Sequence, residues 1–116
     1  MNLEEIRNHC IQKNAVTEEF PFDNETLVFK VGGKAFLLTH ISNPVSINLK
    51  CEPELAIELR EKYDTISPGF HMNKKHWNTI NLKGQYGAKE IFAWIDHSYD
   101  LVVSGLPLKT RQSILN

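Results

Sequence analysis

Two adjacent glycines, Gly32 and Gly33, separate two apolar segments, Thr26–Val31 and Lys34–His40, and this arrangement constrains the fold more tightly than anything else in the chain. A two-residue hairpin turn needs positive φ at its centre, which glycine adopts without steric cost. Such a turn makes Val31 face Lys34. Counting outward sets Lys30 opposite Ala35, Phe29 opposite Phe36, Val28 opposite Leu37 and Leu27 opposite Leu38. In this register Leu27, Phe29, Phe36 and Leu38 share one face, so the large apolar side chains meet across the pair. The two segments predict an antiparallel hairpin with one buried face.

The other elements follow from spacing. Asn2, with Glu5 three residues later, has the pattern of a capping box, and Leu3, Ile6 and Cys10 continue it as a short amphipathic helix to about Lys13. Residues 14–25, with Pro21, Asp23 and Asn24, read as a loop. Asn43-Pro44 predicts a turn. Val45–Lys50 then alternates, with Val45, Ile47 and Leu49 inward and Ser46, Asn48 and Lys50 outward. Pro53 suits the first position of a helix, where its missing N–H costs nothing, and Leu55, Ala56, Leu59 and Tyr63 give that helix a stripe. Pro68-Gly69 breaks the chain, and Trp77–Leu82 reads as a strand ending at Lys83-Gly84. Ile91, Phe92, Ile95, Tyr99, Val102 and Val103 mark a long amphipathic helix, stopped by Gly105 and Pro107. The tail, with Leu108, Ile114 and Leu115, offers one more turn. The order α-β-β-β-α-β-α predicts a single α+β domain over residues 1–116, an antiparallel sheet with helices packed on one face. The expected core is Phe29, Phe36, Leu38, Val45, Ile47, Leu49, Leu59, Ile91, Ile95 and Tyr99.

Composition narrows the function classes. At 41% hydrophobic and 23% charged residues, the chain has a globular balance. No apolar run approaches the roughly 20 residues that cross a bilayer, and the acidic opening Met1-Asn2-Leu3-Glu4-Glu5 is unlike a signal peptide. Cys10 and Cys51 share no motif spacing and read as reduced thiols, so a cytoplasmic protein is expected; a monomer is expected as well. A net charge of −1 argues against strong general attraction to nucleic acid. The charge is uneven, however. Residues 1–70 carry 7 Lys and Arg against 11 Asp and Glu, whereas residues 71–116 carry 6 against 3.

The chemically richest segment lies in that second part. His71, Asn73, Lys74, Lys75, His76, Trp77 and Asn78 combine cations, amides and an aromatic ring, the groups needed to track phosphates and stack on a base. The plainer reading makes Trp77 a core residue and the lysines solvated. Lys30 and Lys34, beside Gly32-Gly33, form a second basic feature: either an ordinary turn with edge lysines or a wing whose lysines reach phosphates. His71 and His76 are five apart and share no helical face, so no metal site is expected there. Glu4, Glu5, Glu18 and Glu19 read as surface carboxylates rather than an iron site. Cys10, Cys51 and Ser98 lack a local activating pattern, and Gly-rich phosphate loops, His-Glu-x-x-His and Cys-x-x-Cys do not occur, so neither catalysis nor a cofactor is expected.

The run from Pro68 to Thr79, together with Pro21-Phe22-Asp23, the Phe29–Phe36 hairpin with Gly33-Lys34, Leu49-Lys50 and Ser98-Tyr99-Asp100-Leu101-Val102, resembles the YjbR/MmcQ family across nearly the whole chain. The resemblance implies a CyaY-like fold, described as a double-wing motif and often labelled DNA-binding. It brings no assigned activity. The expectation is a non-catalytic module binding DNA or RNA weakly through Lys30, Lys34, His71, Asn73, Lys74, Lys75, His76 and Trp77. The alternative is a protein-interaction or small anionic-ligand domain, marked by an exposed apolar patch such as Phe20, Phe22 and Phe70.

Overall fold

A computed structural model describes residues 1–42 and 44–115 of the chain. Asn43, half of the expected Asn43-Pro44 turn, lies outside the described residues. The elements are α1 (Leu3–Ile11), β1 (Val16–Glu19), β2 (Thr26–Val31), β3 (Lys34–His40), β4 (Ser46–Lys50), α2 (Pro53–Lys62), β5 (Ile66–Pro68), β6 (Trp77–Asn81), α3 (Ala88–Ser104) and α4 (Leu108–Leu115). The strands form one antiparallel sheet in the order β1-β2-β3-β4-β6-β5, an α+β architecture. No helix among the described residues is long and apolar enough to cross a membrane.

The capping box at α1 forms as its spacing predicts. Asn2 Oδ1 accepts from the Glu5 amide at 2.9 Å, and the Glu5 carboxylate accepts from the Asn2 amide at 3.3 Å. Two strands occupy segments without a strand signal. Three of the four residues of β1 are polar, and the segment is held by its ladder to β2, from Val16 opposite Val31 to Glu19 opposite Val28. β5 has three residues and ends at Pro68 on the sheet edge, where a missing N–H leaves no ladder bond unmade. The C-terminal tail winds into α4 and buries Ile114.

The hairpin turns at Gly32 and Gly33, with φ of 58° and 79°. Its register is the expected one only beside the turn, where Val31 faces Lys34 and Lys30 faces Ala35. A bulge then sets Phe29 opposite Leu37, Val28 opposite Leu38 and Leu27 opposite Thr39. Phe36 is the extra residue, and the simple count outward from the turn fails beyond it. Phe36 still meets Phe29, with ring centroids 6.4 Å apart, because both side chains enter the core. Leu38 is buried too, but beside Val28 on the other face of the sheet.

Helices cover a single face. α3 lies across β2, β3 and β4, α1 packs on β1, and α2 packs on β5. Between them and the sheet sit Ile6, Phe29, Phe36, Ile47, Leu49, Ile80, Ile91 and Ile95, all essentially without solvent contact. Nine of the ten expected core residues are buried. Val45 is not: it is 45% exposed, because β4 begins at Ser46 and Val45 lies before the ladder.

Candidate nucleic-acid interface

Among the described residues the second face of the sheet carries no helix, and alternation dictates what it displays. One row reads Glu19, Val28, Leu38, Asn48, Thr79 and Ser67, each the cross-strand neighbour of the next. The next row toward the hairpin end holds Thr17, Lys30 and Ala35, followed further along by the pair Lys50 and Trp77. The apolar part of this face, Val28 and Leu38, belongs to β2 and β3. Over β4, β6 and β5 the open-face side chains are Ser46, Asn48, Lys50, Trp77, Thr79, Asn81 and Ser67, with no carboxylate among them. Trp77 is therefore neither a core residue nor fully free. It is half-buried on the open face beside Lys50.

The segment between β5 and β6 is tied down by backbone and side-chain bonds. Gly69 N–H donates to the Trp77 carbonyl at 2.8 Å, and a Cβ on Gly69 would fall 2.7 Å from that of Trp77. Phe70 N–H then donates to Thr79 Oγ1 at 3.0 Å, so the chain folds back over the open face. The Asn73 side chain accepts from Lys75 N–H at 3.0 Å, and the His76 carbonyl accepts from Cys51 N–H at 2.7 Å. From the helix side, the Arg60 guanidinium donates to Asn78 Oδ1 at 2.6 Å, to the Trp77 carbonyl at 3.2 Å and to the Lys74 carbonyl. Asn78, fully buried, donates in turn to the Ala56 carbonyl at 3.3 Å. Arg60 and Asn78 thus set the shape of the loop. In the sequence Asn78 is only one more amide of the richest segment, and nothing in the spacing of α2 singles out Arg60.

The expected site residues divide. His71, Asn73, Lys74 and Lys75 are exposed on this loop, His76 is half-buried, and His71 holds a left-handed φ of 59° with its ring 4.0 Å from that of Phe70. Lys74 Nζ reaches the Gly69 carbonyl at 3.3 Å, so part of its bonding is internal. The hairpin lysines do not join them. Lys34 pairs with Val31 and so lies on the helix-covered side of the sheet, at its tip. Lys30 is on the open face but bonds Glu19 at 3.4 Å. Glu19 is held below the usual carboxylate range first by the Thr17 hydroxyl and then by Lys30. The tip itself is not free on both sides, since Gly32 rests on Leu106, whose Cδ1 would lie 2.6 Å from an added Cβ.

Phe20, Phe22 and Phe70 are exposed, but they do not form one patch. Phe20 and Phe22 follow β1, whereas Phe70 follows β5, five strands away. At about 4.8 Å per strand spacing, that separates them by roughly 24 Å.

The remaining chemistry-bearing groups serve the fold. Ser98, buried on α3, donates to the Phe36 carbonyl at 2.6 Å and accepts from Lys50 N–H at 2.9 Å, bridging β3 and β4 one residue beyond the Leu37–Leu49 pair. Tyr99 donates to the Asn14 carbonyl at 2.7 Å. Burial pushes the Cys10 thiol up to about 12 and that of Cys51 up to about 11, so neither is a ready nucleophile. Among the described residues no group of three or more His, Cys, Asp or Glu is placed to hold a metal ion. Glu5 is engaged in the α1 cap and Glu18 bonds Arg7 at 2.6 Å.

The fold is shared with known proteins. The model of the YjbR family matches residues 11–101 of the chain. The chain belongs to the YjbR family. Among its relatives, the uncharacterized protein YjbR of Escherichia coli K12 is 29% identical over 99% of this chain and 98% of its own length. The uncharacterized protein YbdF of Escherichia coli O157:H7 is 36% identical over 82% of this chain and 79% of its own. A crystal structure of Deinococcus radiodurans protein DR2400, with a DUF419 domain, superposes with a TM-score of 0.91 at 38% identity, covering 97% of this chain and 87% of that one. A Pseudomonas syringae protein crystal structure gives 0.74 at 32% identity, covering 88% and 99%. The YjbR-family match spans the bulged hairpin, the Arg60-anchored loop and the open face alike.

Proposed function

We propose that this YjbR-family domain binds nucleic acid without acting on it chemically, through the loop of residues 69–77 and the adjoining open face. The observation that supports this reading is that, among the described residues, the open-face side chains of β4, β5 and β6 beside Lys50 and Trp77 include no carboxylate, with Lys74 and Lys75 on the neighbouring loop. Cations held on a folded loop attract phosphates, and an aromatic face beside them adds a surface for a base. With a few phosphate contacts and a net charge of −1, affinity is micromolar or weaker at physiological salt. Titrating a fluorescent duplex and a fluorescent single strand at about 50 mM salt tests it. Binding is expected, and Lys74→Ala/Lys75→Ala is expected to lower affinity and flatten the salt dependence by up to two contacts. No binding of either probe at high protein concentration rejects the proposal.

A protein-docking role is the second reading, favoured by Phe22 at 74% and Phe20 at 47% exposed beside the edge strand β1. Those aromatics lie far from the lysine loop, so Phe22→Ser separates the two readings. It leaves nucleic-acid binding intact and abolishes docking to any protein partner.

A further inference from the structure

The geometry points to single-stranded rather than duplex nucleic acid as the ligand of the open face, with Phe70 and Trp77 stacking on bases, Lys50 on a phosphate and Asn48 on a base edge. This inference rests on the nucleic-acid reading above and specifies its ligand. Phe70 is 69% exposed although its backbone is fastened to Thr79 on the open face, so a large ring is held in solvent beside the Trp77 strand. The neighbouring His71 ring lies 4.0 Å from it. Rings held this way present faces to unstacked bases, and bases inside a duplex have no face to offer.

The polar groups alongside fit the same ligand. The Thr79 hydroxyl donates to Asn48 Oδ1 at 2.5 Å, which fixes the carboxamide with its oxygen satisfied. Asn48 lies on the open face, and its Nδ2 donors have no hydrogen bond to the chain among the described residues. Lys50, next to Trp77, forms no ion pair among the described residues. Its nearest cross-strand neighbours on this face are uncharged, so a phosphate meets no repulsion there. Duplex reading is disfavoured by the hairpin. A wing that enters a groove needs a projecting, cationic tip, whereas here Gly32 rests on Leu106, Lys30 is paired with Glu19 and Lys34 lies on the opposite side of the sheet.

Fluorescence anisotropy with a labelled oligothymidylate, a labelled oligouridylate and a labelled DNA duplex of equal length decides the matter. Both single strands are expected to bind at least about tenfold more tightly than the duplex. Phe70→Ala is expected to weaken single-strand binding roughly 5- to 150-fold, with no change in duplex binding and no loss of melting temperature. Lys50→Gln is expected to flatten the single-strand salt slope by about one contact. Equal or tighter binding of the duplex, or a silent Phe70→Ala, overturns the inference. If that happens while Lys74→Ala/Lys75→Ala still weakens binding, the nucleic-acid reading survives without it. If no probe binds, both fail.

Discussion

Ser98 carries a structural task that its neighbours make unavoidable. The Phe36 carbonyl and the Lys50 N–H lie just past the last β3–β4 pair, Leu37 and Leu49, and a single buried hydroxyl bonds both. Ser98→Ala leaves both without that partner, so it is expected to cost about 1–3 kcal/mol in denaturant unfolding. Cys10 and Cys51 are the residue-scale counterpart of that burial. A thiol reagent at neutral pH is expected to find almost no fast-reacting cysteine in the folded protein and both of them after unfolding, because burial raises each thiol. Phe70 and Trp77 show what residue type alone does not disclose. Both are large aromatics, yet a backbone bond to Thr79 holds one ring out in solvent while the other is half-covered on the sheet.

The elements were legible wherever period and punctuation agreed. The Gly32-Gly33 turn, the Ile47 and Leu49 alternation, the α1 capping box and the long stripe of α3 are all in place. The hairpin register was not, and the reason lies in β3. Its run Phe36-Leu37-Leu38 breaks strict alternation, and the strand accommodates it by bulging at Phe36 and burying Leu38 on the far face. β1 and β5 escaped because neither alternates over enough residues to show a period; each exists through the strand it pairs with. Phe36→Ala is expected to cost about 3–5 kcal/mol, read as a lowered unfolding midpoint, since its ring packs against both Phe29 and Tyr99. The two turn glycines are expected to differ. Gly32→Ala meets Leu106 as well as an unfavourable φ, while Gly33→Ala meets only the φ, so the first substitution is the more destabilising.

At the scale of the whole molecule, several carboxyls tie separate elements together. Arg7 holds Glu18 below its ordinary range, joining α1 to β1. Asp96 on α3 is raised by burial, but Lys13 and His9 outweigh this and lower it overall. Carboxyls depressed in the folded state bind protons less readily than in the unfolded chain. Their stabilisation is therefore complete above about pH 5 and lost as pH falls below about 4 through the depressed values. A chemical denaturation series across that range is expected to show the fall, and Asp96→Asn to make it shallower. The candidate site was legible as composition, since the cations and the aromatic stand together in residues 71–78. Its shape was not, because Arg60, Asn48 and Lys50 join it only through the sheet and the α2 packing. The most direct test of the central claim is an amide chemical-shift map recorded while an oligonucleotide is titrated into labelled protein. The shifts are predicted to concentrate at residues 48–50 and 69–79, and to weaken as salt rises. Shifts confined to Phe20–Asn24 and the β1 edge, or none at all, would contradict it.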